Sequence, residues 1–397
     1  MNKYFSILTL LSLISASDFE WQAEFRYRLE TEKSDSLFST SPNTINYTRS
    51  RISLKFINGP ITGFAQLQDS RILGDVFGSA GLTQSSNNDV EFHQIYFQVS
   101  QLLKRNWTLR FGRFEMPLGS ERLFSKNNWN NYGRAFEGIH SFNQNKFGSL
   151  NTFYLINIEN SSYPTFDFVD NISEVIQGVY FSPTMKNSLP LIFNQLDLYW
   201  YNYNYYFNDF QRVRRTIGGR WDVGILFFRL EGEYAYQNGK YGSGDVNLNI
   251  NGIMSIFNLH LELSFLPFLS RLSVGKEYFS GDDHTTESLD GFANPWGEVH
   301  KYHGYFDKHT HFSNNYSAGL DEWNVKTVFT LPGGFKLSVH YHDFKDGVKS
   351  DPLGTELDIV FSKKLGFGGV LQQGFARYWE AGGDQLDYSW FMLNFTL

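Results

Sequence analysis

The sequence contains no cysteine, which excludes disulfides, thiolate metal sites and thiol nucleophiles. Such a chain must be held by hydrogen-bond ladders and burial alone. Beyond the N-terminus no apolar run approaches the roughly 18 residues that mark a membrane helix, so a helical membrane protein is excluded. Basic residues are not in excess: 34 Lys and Arg stand against 41 Asp and Glu, a net charge of -7, and gross charge gives no pointer to nucleic acid. Proline is scarce, with 10 residues in the chain, and falls mostly at turns and loops, as strand physics requires. No Pro/Ser-rich linker or low-complexity tract divides the sequence. Aromatic residues, in contrast, make up 18% of it, with 39 Phe, 23 Tyr and 9 Trp. That is more than a soluble core needs and fits lipid-facing bands with interfacial girdles.

The first residues read as a secretory signal peptide. Met1-Asn2-Lys3 supplies the basic start, Tyr4 to Ile14 the apolar stretch, and Ser15-Ala16-Ser17 the small-residue cleavage zone. Residues 1–17 are therefore expected to be removed, leaving 18–397 as a single domain. The segment that follows, Phe19 to Glu30, alternates without exception. Phe19, Trp21, Ala23, Phe25, Tyr27 and Leu29 share one parity, and Glu20, Gln22, Glu24, Arg26, Arg28 and Glu30 the other. Successive strand side chains point to opposite faces, so one face meets an apolar medium and the other a polar one. The length exceeds a usual soluble strand of about 5–6 residues and suits the roughly 9–11 tilted residues that cross a bilayer.

Reading the same alternation along the chain predicts strands near 19–30, 46–57, 61–71, 90–101, 106–114, 135–143, 147–158, 173–182, 191–204 and 213–222. The remainder are 225–237, 246–263, 271–280, 316–329, 334–344, 355–363, 369–379 and 387–397. This makes about 18, and the expected fold is all-β: a transmembrane antiparallel barrel with short periplasmic turns and long extracellular loops. Short connections such as Asn58-Gly59-Pro60, Val223-Gly224 and Thr330 to Gly333 alternate with long ones such as Glu115 to Arg134 and Gly281 to Asn315. With both termini periplasmic the alternation closes. The count shifts by two, to 16, if assignments err locally. Residues 246–263 change apolar parity midway, from Val246, Leu248 and Ile250 to Phe257, Leu259 and Leu261, so either a β-bulge lies near Gly252 or two strands are merged. At the C-terminus Phe391, Leu393, Phe395 and Leu397 share one parity, and pairing of this strand with the first would leave no exposed edge.

The polar parity is then expected to line a lumen. It carries Arg26, Arg28, Arg49, Arg51 and Lys55, then Gln66, Gln68, Gln94, Tyr96, Gln98 and Arg110. Later strands add Gln195, Asp197, Arg220, Asp222, Arg229, Glu231, Glu233, Glu322, Lys326, Lys336, His340, Glu356 and Asp358. Guanidinium forks suit bidentate binding of carboxylates, while amides and tyrosines suit hydroxyls. The alternative is that these charges pair across strands and solvate a wet wall, at about 0.2–1 kcal/mol per pair.

The segment Leu109 to His140, LRFGRFEMPLGSERLFSKNNWNNYGRAFEGIH, resembles the alginate export family of outer-membrane porins. It carries Gly112-Arg113, the Gly119 to Leu123 stretch, Trp129 to Asn131 and the Arg134 to Gly138 run. Tyr47 to Leu54, Gln66 to Arg71, Ser280 to Asp282 and His300 to Asp307 agree with it. The resemblance implies an 18-strand barrel with an arginine-lined constriction that passes an acidic polysaccharide of the alginate type. It also implies that Arg49, Arg51, Arg113, Arg122 and Arg134 form the basic motif, oriented by Asp69 and Glu137.

The function expected is passive diffusion of an anionic solute across the bacterial outer membrane, without catalysis, cofactor or metal. The expected partners are outer-membrane lipid, the anionic polysaccharide or small anionic solutes, and the barrel-assembly machinery, with no nucleic acid. The acidity of the chain and the Phe114-Glu115-Met116-Pro117 stretch keep a general or other substrate-selective porin as the alternative. A barrel enzyme or an adhesive barrel is more remote. Asp282, Asp283, His284, His300, His303, Asp307, His309 and His311 are the loop residues from which an enzyme or a divalent-metal site would have to be built, but they come with no nucleophile motif.

Overall fold

The computed structural model describes residues 18–34, 43–73, 90–102, 106–156, 172–185, 190–207, 210–243, 246–309 and 318–397. The expected signal peptide and His311 lie outside these residues. The strands are β1 (Asp18–Ser34), β2 (Asn43–Asn58), β3 (Ile61–Ile72), β4 (Glu91–Leu102), β5 (Trp107–Phe114), β6 (Phe136–Asn145), β7 (Gly148–Ile156), β8 (Ile172–Pro183) and β9 (Leu191–Phe207). They continue with β10 (Phe210–Ile225), β11 (Phe228–Ser243), β12 (Val246–Glu262) and β13 (Leu269–Phe279), then β14 (Ser288–Leu289), a two-residue piece inside a loop. The last five are β15 (Leu320–Leu331), β16 (Phe335–Lys345), β17 (Pro352–Lys364), β18 (Gly369–Glu380) and β19 (Gln385–Thr396).

Leaving β14 aside, eighteen strands pair antiparallel with their chain neighbours, and β1 pairs with both β2 and β19. Among the described residues the sheet therefore closes with no free edge, so the ladders are satisfied without water. Outward residues such as Phe19, Trp21, Phe25, Ile52, Leu54, Phe97 and Phe111 are exposed on successive strands. So continuous an apolar band is costly to expose to water.

Two sequence expectations change. The β10–β11 turn falls at Leu226-Phe227, because the ladder continues to Ile225 opposite Phe228, not at Val223-Gly224. Strand β12 runs unbroken from Val246 to Glu262 with no register shift against β11, so there is neither a bulge at Gly252 nor a merged pair. Its apolar parity changes for a different reason. Ile250, Met254 and Ile256 point inward and are buried, because a loop segment covers them: Ser288 and Leu289 pair with Asn249 and Ile250, and the Phe292 backbone lies against Gly252. At that level the inner wall is apolar because the barrel is filled there.

The filling comes from two inward-folded connections, the β5–β6 loop (residues 115–135) and the β13–β15 loop (described over 280–309 and 318–319). Phe124 stacks on Trp296 at 5.5 Å and packs on Phe153 and Tyr201, which face it from β7 and β9. Backbone bonds Ser125 N to Trp296 O and Glu298 N to Glu121 O join the two loops.

Candidate functional site

The first anchor of the inner assembly is an arginine stripe. On adjacent strands Arg26 stands opposite Arg49 and Glu24 opposite Arg51, so side chains of one parity cluster at one height. These three arginines and Arg28 are buried. Arg26 donates to Asn128 O at 2.6 Å and to Asn130 O and Asn131 Oδ1 at 3.0 Å. Arg28 donates to Trp129 O and lies 4.2 Å from the Trp129 ring. Arg49 is bound by Glu24 at 2.5 Å and donates to Asn128 Oδ1 at 2.9 Å. Arg51 donates to Gln68 at 2.6 Å and Tyr132 O at 3.3 Å, with Glu115 at 3.5 Å. Charge-assisted bonds to carbonyls are strong where water is excluded. The stripe therefore faces the lumen, but its guanidinium groups clamp the 115–135 loop. Glu115, bonded to His93 at 2.9 Å, is half-buried, and its desolvation would raise its pKa, yet His93 and Arg51 hold it below the ordinary glutamate value.

The second anchor is Arg122. It donates to both Glu277 oxygens, at 2.5 and 2.8 Å, with the Tyr302 ring 3.5 Å from its guanidinium carbon. Burial acts to lower its pKa, but Glu277, Tyr302 and further carboxylates outweigh this and raise it. Glu277 also faces His303, which bonds Glu322 at 2.5 Å, and Glu322 holds His342 at 2.7 Å. Arg134 donates to Gly297 O at 3.4 Å. Arg122 and Arg134 thus join the two loops.

Between the loops and β19 lies a cavity of about 280 Å³ lined by Arg26, Glu121, Lys126, Asn128, Trp129, Glu298, His300, Lys301, Tyr305, Met392 and Asn394. Arg26, Lys126 and Lys301 against Glu121 and Glu298 leave one net positive charge there. Trp129 stacks on His300 at 3.7 Å and Tyr305 packs on Trp390 at 5.1 Å, giving aromatic surface beside the charges. Burial raises the Glu298 pKa above the ordinary value, although His300, Ser125 and Arg134 oppose it.

The other expected residues are distributed around the wall. Lys55 pairs with Glu20 at 2.9 Å, and Gln66 bonds Ser53 at 2.8 Å. Arg110 bonds Gln98 at 3.0 Å over the Tyr96 ring. Arg220 pairs with Asp197 at 3.3 Å, and Arg229 with Asp222 at 2.5 Å. Three expectations are corrected by parity. Asp69 shares the outward parity of Leu67 and pairs with Arg71 at 2.6 Å, so it orients none of the motif arginines. Arg113 and Glu137 pair with each other at 3.7 Å, but on the parity of the exposed Phe111 and Ile139. All three face away from the lumen. The sequence reading missed Lys126, Glu298, Lys301 and Tyr305 because loop residues carry no periodic signal.

The sequence profile described as Alginate export matches residues 18–367. No curated protein matches the sequence. Among solved structures, OccAB4 of Acinetobacter baumannii is similar at 12% identity and a TM-score of 0.60, over 96% of this chain and 98% of that one. OccK9 (OpdG) of Pseudomonas aeruginosa has 14% identity and a TM-score of 0.61, again over 96% and 98%. A BenF-like porin from Pseudomonas fluorescens Pf-5 has 12% identity and a TM-score of 0.62, over 96% and 98%. At these identities the likeness is one of fold.

Proposed function

The chain belongs to the alginate export family, and from that premise we propose that it is an outer-membrane channel passing an anionic solute, of the acidic polysaccharide or oligosaccharide type, by passive diffusion. The observation that carries this reading is the cavity between the two inner loops and β19, where Arg26, Lys126 and Lys301 outnumber Glu121 and Glu298 and Trp129 and Tyr305 add ring surface. A uronate offers a carboxylate to cations and an apolar ring face to aromatics, so both features address one ligand. In this reading residues 1–17 are the cleaved leader and the barrel-assembly machinery inserts the chain. Both termini lie on the periplasmic side, and lipid covers the outward band.

A second reading, a substrate-selective porin for small anions, is favoured by the extent to which the two loops fill the lumen. Planar-bilayer recordings separate the two. Block by oligouronates at micromolar to millimolar concentration supports the first; anion conduction without such block supports the second; cation preference sinks both.

A further inference from the structure

Beyond the cavity, one side-chain cluster on the inner wall gathers imidazoles and carboxylates at ligand spacing. Inward residues of β16 and β17 place His340 opposite Asp358 and His342 opposite Glu356. His340, His342 and Asp358 each offer a ligand atom, all within 4.8 Å of one another. His342 and Asp358 are 1% and 0% exposed, and His342 Nε2, both Asp358 carboxylate oxygens and Glu356 Oε2 face one another without a well-formed hydrogen bond. Buried acceptors left this way are costly. The nearby cations are committed elsewhere: Arg122 to Glu277, and Lys326 to Tyr302 O at 2.9 Å.

The second neighbour is equally specific. Glu322 holds His342 at Nδ1, 2.7 Å away, which directs the Nε2 lone pair toward Asp358 at 3.4 Å. A carboxylate fixing one imidazole nitrogen while the other points at a further donor is the arrangement that supports metal-binding histidines. Ligands about 2.0–2.1 Å from a tetrahedral zinc ion stand roughly 3.3 Å apart. The His342–Asp358 separation already matches that edge.

We propose that His340, His342 and Asp358 bind a divalent transition-metal ion of the zinc class, with Glu356 as the adjacent fourth donor and Glu322 as the orienting carboxylate. Imidazole with carboxylate suits zinc rather than calcium or magnesium. The ion would fasten the inner loop to the wall. Phe306 N donates to Glu356 at 2.8 Å, Tyr305 stacks on His340 at 5.7 Å, and at Gly304, with φ +85°, a Cβ would stand 2.5 Å from the Glu356 carboxylate. The loop backbone thus closes directly over the cluster. The Glu277–His303–Glu322 group beside it is already satisfied by Arg122 and by hydrogen bonds, and is not the site.

The test uses the untagged full chain, folded in detergent, stripped with chelator and titrated with Zn2+ by calorimetry, with Co2+ absorption reporting ligand geometry. The expected result is one Zn2+ per chain, a tetrahedral Co2+ spectrum, and a thermal transition that rises with Zn2+. Asp358→Asn, nearly isosteric, is expected to weaken binding at least 100-fold, and Glu322→Gln about 10–100-fold, with folding of each variant verified by heat-modifiable gel migration. Absence of stoichiometric Zn2+ binding to the folded wild type would overturn the assignment. So would binding unchanged in folded Asp358→Asn, which would locate the ion elsewhere.

Discussion

Replacing Arg122 by Met tests whether the inner loops are held by their buried charges. Arg122 and Glu277 are 3% and 1% exposed as side chains and joined by two hydrogen bonds. Removing one partner of such a pair leaves a buried charge uncompensated, at about 3–5 kcal/mol. A polar neighbour, His303, remains 3.8 Å from Glu277, so the lower end of the range is taken. At about 1.4 kcal/mol per factor of ten, ~3 kcal/mol raises the undocked loop population by roughly 100-fold or more. The barrel ladder does not include this contact, so the cost falls on loop docking and not on strand pairing. Single-channel recordings of Arg122→Met are expected to show larger conductance and gating noise, while heat-modifiable migration stays that of a folded barrel. The double variant Arg122→Met/Glu277→Met removes both charges and is expected to recover much of the quiet, smaller conductance, giving a measurable coupling energy. Conductance and noise of Arg122→Met indistinguishable from wild type would refute the tether.

Ile52 faces outward, 55% exposed, and Ile52→Arg is expected to lower barrel stability by about 2–4 kcal/mol if it lies near the bilayer midplane, measured by denaturant unfolding from lipid vesicles; an unchanged midpoint argues against lipid on this face. Glu298 has its pKa raised by burial, so on acidification it loses its charge before an exposed glutamate would. Its negative charge is present above the raised pKa and lost as pH falls through it, leaving Arg26, Lys126 and Lys301 less opposed. Anion preference is therefore expected to grow from a pH above the ordinary glutamate range, and to be already high with that step absent in Glu298→Gln; a wild-type profile identical to that of the variant contradicts this.

Strand existence was legible in the sequence because a period of two over a dozen residues has one physical meaning, and all eighteen barrel strands lie where alternation placed them. Strand ends were less so. The β9–β10 and β10–β11 ladders extend to Phe207, Phe210 and Ile225, because backbone pairing continues past the last clearly alternating residues. The site was only half legible. Arg26, Arg28, Arg49 and Arg51 point inward as parity requires, but parity cannot reveal that a loop's carbonyls occupy them. A signal of the filled lumen was nevertheless present. Phe114, Tyr199, Tyr201, Tyr203, Met254 and Phe344 sit on the inward parity and are buried. Large apolar residues facing a supposed water channel imply that something packs on them, and the parity change in β12 carried the same message. Asp69, Arg113 and Glu137 were misplaced because the motif resemblance was followed where alternation with Leu67, Phe111 and Ile139 pointed outward.

The central claim, an anion-conducting passage bordered by Arg26, Lys126 and Lys301, is tested most directly by the reversal potential of the purified chain in a planar bilayer under a salt gradient, before and after addition of oligouronates. The expected result is a reversal potential on the anion-selective side and a concentration-dependent block that weakens in Trp129→Ala and Lys301→Gln. A cation-selective reversal potential with no block would contradict it.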